Sequence, residues 1–147
     1  MEVEDGAFLS GMTGFHQFSR IGKLAIVSAL SAANKDIPPY MMAGGRPAVV
    51  LGMNVVGLRR AGMSAATRDE IKQAYKLLYR SGLNVSQAVE LMKQNLHSPE
   101  VLHLIHFIET SKRGIIDGTS PEIEETLKAR KAAPQTLDAL NCGSQEY

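Results

Sequence analysis

Four histidines and one run of evenly spaced cations are the residues of this 147-residue chain whose types suggest chemistry. His103 and His106 stand one helical turn apart in "VLHLIHFIE". That spacing suits a metal ion, but a site needs a third ligand and none is near, so they read as exposed or half-buried helix residues. His16 follows Phe15 in "GMTGFHQF" and has two readings, a solvated corner residue or a side chain lining a site. Arg68, Lys72, Lys76 and Arg80 are spaced by fours. On a helix they form one stripe, where like charges cost about 0.2–0.5 kcal/mol per pair. Such a stripe is either a solvated face or a surface for an acidic partner.

The stripe belongs to a locally basic segment. Between residues 54 and 80, Arg59, Arg60 and the four stripe residues oppose only Asp69 and Glu70, a net charge of +4, while the whole chain carries +1. A balance that close to zero argues against a nucleic-acid-binding chain. Cys142 is the single cysteine, so no internal disulfide forms and a reducing cytoplasm is expected. No apolar run approaches the roughly 20 residues of a membrane span. The opening "MEVEDG" is acidic where a signal peptide is basic. These features predict a soluble, intracellular protein, and nothing in the pattern calls for a metal or cofactor.

The elements that must position these groups begin with a count of six. Val3, Leu9, Phe15, Ile21, Val27 and Ala33 form an apolar column; Ala7, Thr13, Ser19, Ala25 and Ser31 form a small one. A hexapeptide period predicts a parallel β-helix. The aliphatic residue points inward, the small one fits the corner, and successive coils hydrogen-bond at about 4.8 Å. Three hexads per turn make two turns. A solenoid usually needs three or more stacked units, so these coils are expected to be the end of a longer β-helix.

The repeat is expected to stop at "NKDIPPY", where Pro38 and Pro39 lack ladder donors. In "MMAGGRPAVVLG", Gly44-Gly45 reads as a turn. From Asn54 the pattern becomes helical. "SAATRDEIKQAYKLLYRSG" offers Thr67 and Glu70 as a capping box, with Ile71, Ala74, Tyr75 and Leu78 on one face. "NVSQAVELMKQNL" starts from Asn84 and buries Val85, Ala88, Val89 and Met92; "SPEVLHLIHFIETSKRG" starts from Ser98 with Pro99 at the first helical position. "SPEIEETLKARK" repeats that opening at Ser120. The expected organisation is coil and exit loop over 1–53, a small helical domain over 54–132, and a tail over 133–147.

In this order, "GMTGFHQFSRIG", "DIPPYMMAGGRP", "GMNVVGLRRAGMS" and "AYKLLYRSG" resemble the acyl carrier protein–UDP-N-acetylglucosamine O-acyltransferase family of lipid A synthesis. The likeness runs from about Glu4 to Gly118. It implies a left-handed parallel β-helix followed by a C-terminal helical domain, a homotrimer, and active sites in clefts between subunits. The implied reaction moves a 3-hydroxyacyl chain from acyl carrier protein to the 3-hydroxyl of UDP-N-acetylglucosamine. A histidine is the general base and a glycine N–H stabilises the oxyanion.

Residue by residue, the resemblance makes His16 a side chain lining the site and Gln17 a sugar contact. It assigns Asn54 and Arg60 to the nucleotide. A guanidinium suits a diphosphate because its fork is planar and permanently charged, whereas Asn54 has a competing role as a helix N-cap. Arg46 stands where many members have His, and Val56 where the family usually has an acid. Ala29 matches the position that sets acyl-chain length. Arg68, Lys72, Lys76 and Arg80 would meet the acidic carrier protein. The base and oxyanion glycine fall before Met1, so little or no activity is expected of this chain alone. A non-catalytic trimerisation and binding module is the rival reading.

Overall fold

The computed structural model of the protein describes residues 1–119 and positions 125 and 129. Its first third is a stack of two-residue strands, each ending on the apolar column: β1 (Glu2–Val3), β2 (Phe8–Leu9), β3 (Gly14–Phe15), β4 (Arg20–Ile21), β5 (Ile26–Val27) and β6 (Ala32–Ala33). Glu2 pairs in parallel with Arg20, Phe8 with Ile26, and Gly14 with Ala32. Every offset is three hexads, so each turn of chain has three sides and the strands fall into three separate parallel sheets. Ile21 and Val27 are fully buried and Ala33 is nearly so. Val3 is 47 % exposed, since among the described residues it has a coil on one side only.

The corners carry a second six-residue period. Gly6, Met12, Phe18, Leu24 and Leu30 all have positive φ, between 55° and 71°. This conformation favours glycine, and an L side chain in it costs about 1–2 kcal/mol. The small column follows each of these residues and closes the corner. Ser19 and Ser31 are buried, and their hydroxyls donate to the carbonyls of His16 (2.6 Å) and Ser28 (2.7 Å).

The ladder does not end at Ala33 as expected. Ile37 bridges Ile21 in parallel, its N–H donating to the Arg20 carbonyl and its own carbonyl accepting from Gly22. β7 (Met41–Gly45) then pairs in parallel with β5 through Ile26↔Met42 and Val27↔Ala43. The segment around Pro38-Pro39 therefore changes the count without ending the coil. Gly22 makes room for it: a Cβ there would lie 2.2 Å from the Pro39 nitrogen.

A second correction concerns the hairpin. β8 (Ala48–Met53) runs antiparallel to β7, and Gly45 pairs with Ala48. The turn is thus Arg46-Pro47, and Gly44-Gly45 is strand. Gly44 is needed for close approach, because a Cβ there would meet Leu51 at 3.0 Å and Ser28 at 3.2 Å.

Within residues 1–119 four helices follow: α1 (Val55–Arg60), α2 (Ala65–Tyr79), α3 (Val85–Asn95) and α4 (Pro99–Glu109). Asn84 with Gln87 forms the capping box of α3, and Ser98 with Pro99 opens α4 as expected. In α2 the cap is Ser64, whose hydroxyl accepts from the Thr67 N–H, not the Thr67–Glu70 pair. The helix starts a turn earlier, and Glu70 is used elsewhere. The predicted face of α2 is buried. On α3, Val85 is 42 % exposed, because the first residue of the helix lies outside the packed stripe of Ala88, Val89 and Met92.

One hydrophobic core runs from the coil residues Ile21 and Val27 through the helices to Ile115 and Ile116. Polar contacts clamp α4 to the coil. The Arg20 guanidinium lies 4.1 Å from the centre of the Phe107 ring, and its Nη1 donates to the Thr110 hydroxyl. Among the described residues no helix is long and apolar enough to cross a membrane. The expected helix at Ser120 and most of the segment beyond it lie outside the described residues.

Candidate functional site

The residues singled out from the sequence fall at three places. His16 and Gln17 lie on the corner that ends at Phe18, both exposed. The His16 Nδ1 is 3.2 Å from the Gln17 carbonyl oxygen. Ala29 and Leu30 form a corner two hexads further on and are also exposed. Arg46 reaches this corner from the hairpin turn, its Nε–H donating to the Leu30 carbonyl at 2.6 Å. The structure therefore joins Arg46 to the Ala29 corner, a pairing that the spacing does not suggest.

Asn54 and Arg60 bracket α1. Asn54 is 7 % exposed and its amide is engaged on both sides: Oδ1 accepts from the Gly57 N–H at 3.1 Å, and Nδ2 donates to the Leu24 carbonyl at 2.8 Å. It ties the start of α1 to a corner of the coil. A side chain on Gly57 would collide with that amide, 2.2 Å from Nδ2. Arg60 is exposed in the last turn, and Val56, which departs from the pattern of the family resembled, is 59 % exposed.

The third place is a groove of about 1140 Å³ between β8, α1 and α2. Arg68, Lys72, Lys76 and Arg80 all line it, so the stripe is one wall of a concave surface and not a plain convex face. Its floor is apolar, with Leu51 and Met53 from β8, Val55 from α1 and Leu77 from α2. Arg59 joins the cations across the groove. Sequence reasoning passed it over in favour of its neighbour, although 55, 58 and 59 share one helical face and 56 and 60 fall on another. Arg80 stacks on Tyr75, 5.7 Å from the ring centre, with its Nε 3.4 Å from the phenol oxygen. The Nε of Arg68 is buried and has no hydrogen-bond partner among the described residues.

His103 Nε2 lies 2.9 Å from Glu4 Oε2, which also accepts from the Lys23 N–H, so this histidine joins α4 to the coil; His106 is exposed. Burial pushes the phenols of Tyr40 and Tyr79 well above their ordinary range, which removes them as acid–base groups near neutrality. Hydrogen bonding from the Ser98 side chain, ahead of its N–H, holds the Glu70 carboxyl below its ordinary value. Among the described residues no three His, Cys, Asp or Glu converge as a metal would require.

Residues 36–116 match the family model described as UDP N-acetylglucosamine O-acyltransferase, domain 2. Curated relatives include acyl-acyl-carrier-protein–UDP-N-acetylglucosamine O-acyltransferases of Myxococcus xanthus, 43% identical over 115 residues, and Gloeothece citriformis, 39% identical over 121. These alignments cover 77% and 79% of this chain and 44% of each relative. The chain thus spans less than half the length of the relatives it matches. Among solved structures, the UDP-N-acetylglucosamine acyltransferase of Bacteroides fragilis superposes with a TM-score of 0.75 at 39% identity, over 78% of this chain and 45% of that one. The Arabidopsis enzyme does so with 0.71 at 29% identity, over 78% and 43%.

Proposed function

The chain belongs to the UDP-N-acetylglucosamine O-acyltransferase family, and from that premise we propose that it is the C-terminal portion of an enzyme that moves a 3-hydroxyacyl chain from acyl carrier protein to the 3-hydroxyl of UDP-N-acetylglucosamine, the first step of lipid A synthesis. The observation that carries this reading is the match over 36–116, which spans the junction where the three-sided coil passes through the β7–β8 hairpin into the helices. A hexapeptide coil alone would suit many acyltransferases.

In this reading the coil is left-handed, residues 54–132 act as a helical domain after the 1–53 coil and hairpin, and three cytoplasmic copies assemble with their active sites in clefts between neighbours. Arg60 takes the diphosphate; its exposure at the end of α1 supports this. Asn54 acts on the nucleotide through α1, whose start it holds, since its amide is already engaged. His16 and Gln17 line the sugar end of the cleft. Ala29, with Arg46 held beside it, lies along the acyl chain and sets its length. The groove stripe of Arg68, Lys72, Lys76 and Arg80 meets the acidic carrier protein, whose long-range attraction speeds encounter.

The general base and oxyanion glycine implied by the resemblance have no counterpart in these 147 residues. His16 is exposed, with its Nδ1 beside the Gln17 carbonyl oxygen. This favours a second reading, a trimerisation and binding module without catalysis. The decisive assay is acyl transfer to UDP-N-acetylglucosamine by this chain beside the same chain extended by the family's preceding coils. The proposal expects turnover from the extended chain, and from the short one a rate lower by at least the roughly 10²–10⁴-fold cost of a missing base. An inactive extended chain that still binds the carrier and the nucleotide would favour the binding module.

A further inference from the structure

A folded carrier protein pairs its carboxylates with the cations at the rim of the β8–α1–α2 groove, but surface carboxylates do not fill an apolar floor. The groove, at about 1140 Å³, is as large as sites that enclose an organic ligand. Leu51, Met53, Val55 and Leu77 would favour an alkyl chain, since each buried methylene contributes about 0.8 kcal/mol. The walls carry Arg59, Arg68, Lys72 and Lys76 against the single acid Asp69, which excludes a cationic guest. Arg68 supplies the specific hint. Its Nε–H is buried without a partner among the described residues, and a buried donor left unpaired points to an acceptor that completes it. Arg68 lines the groove, and a guanidinium carries parallel N–H donors at the spacing that one carboxylate accepts.

We infer that this groove binds a long-chain carboxylate, its head on Arg68 and its chain along the floor formed by β8, α1 and α2. The occupant neutralises and covers cations that the carrier protein is proposed to use. A free fatty acid therefore slows carrier association, signalling that acyl chains are in excess. That second statement rests on the carrier-protein reading above; binding of the carboxylate does not.

Titration of the 147-residue chain with laurate below its aggregation concentration, followed by calorimetry and amide chemical shifts, tests this. The expected result is saturable 1:1 binding with shifts at Leu51, Met53 and Val55, and at least about tenfold weaker binding of dodecanol, which lacks the charge. Arg68→Ala should remove most of that difference. Arg68→Lys, which keeps the charge but not the fork, should do nearly the same with an unaltered amide spectrum elsewhere. Equal binding of laurate and dodecanol, indifference to both Arg68 variants, or shifts confined to other surfaces would overturn the inference. Tighter binding of dodecyl phosphate than of laurate would overturn the choice of head group. These measurements contain neither carrier nor sugar nucleotide, so their failure is separate from that of the function proposed. Carrier association measured with and without laurate then tests competition; an unchanged rate at saturating laurate would overturn the regulatory part.

Discussion

The Ser111 hydroxyl donates to Asp36 Oδ2 at 2.6 Å, across 75 residues of chain, while Asp36 Oδ1 accepts from the Arg20 N–H at 2.9 Å. Asp36 is 2 % exposed and also joins the chain after α4 through its backbone, its N–H donating to Gly114 and its carbonyl accepting from Ile116. One carboxylate thus fastens the coil to the end of the helical part. Asp36→Ala leaves the Arg20 N–H without its partner and should cost about 1–3 kcal/mol in urea denaturation. Ser111→Ala, which removes only the hydroxyl, should cost less. Equal stability of wild type and Asp36→Ala would mean that the clamp contributes nothing.

Glu70 accepts from the N–H of Ser98, the residue that caps α4, and so ties α2 to the start of that helix. Because its carboxyl is held below the ordinary value, its contribution to stability is full above the unfolded value of about 4.3 and is lost as pH falls through the lower, folded one. Glu70→Gln should flatten the acid limb of the stability curve and leave stability near neutrality changed by less. An identical acid limb in wild type and variant would contradict this.

Arg60→Ala, made in a full-length enzyme carrying these residues, should weaken UDP-sugar binding by roughly 1.5–3 kcal/mol, the range for a hydrogen bond to a charged group. Its exposed position predicts little change in melting temperature. An unaltered dissociation constant by calorimetry would reduce Arg60 to a surface charge.

Reversing Lys72 and Lys76 to Glu should slow carrier-protein association and flatten its dependence on salt, because rim charges act mainly on encounter. Both side chains are exposed, so folding should survive. Stopped-flow rates that ignore both the reversal and the salt would remove the carrier from this surface.

Phe8, Met12, Phe18 and Leu30 are 59 %, 81 %, 73 % and 52 % exposed along the coils of the single chain. Large apolar side chains so open to water are expected to be covered by neighbouring copies. Sedimentation at micromolar concentration should give a trimer. A well-behaved monomer would contradict the assembly proposed.

The coil was legible in the sequence because its rule is local. Every sixth residue faces inward and a small one turns the corner, so Ile21, Val27, Ser19 and Ser31 could be placed without knowing their neighbours. Helix caps are equally local, which is why Asn84 and Ser98 were found; Ser64 was missed because a Thr and a Glu in the next turn offered a competing signal. The stripe on α2 was visible from spacing by fours. Its place in a groove was not, since most of the floor comes from β8 and α1.

Long-range pairing is where the sequence stopped and the tertiary structure decided. The six-residue count breaks at Asn34, and nothing local says that Ile37 and β7 rejoin the ladder at an offset of 16 where 18 had held. Only the stacking of β7 on β5, with Pro39 seated against Gly22, selects that register. Likewise, positive φ at Met12, Phe18, Leu24 and Leu30 has no glycine or asparagine to announce it, because the coil's rungs impose it on whatever residue stands there. The sequence by itself determined which coil residues point inward and where α3 and α4 begin. The tertiary structure decided that Arg46 meets Leu30, that Asp36 holds Ser111, and that Arg68 is left with a buried donor. Such pairings depend on free energies summed over residues far apart in the chain, and no local period encodes them.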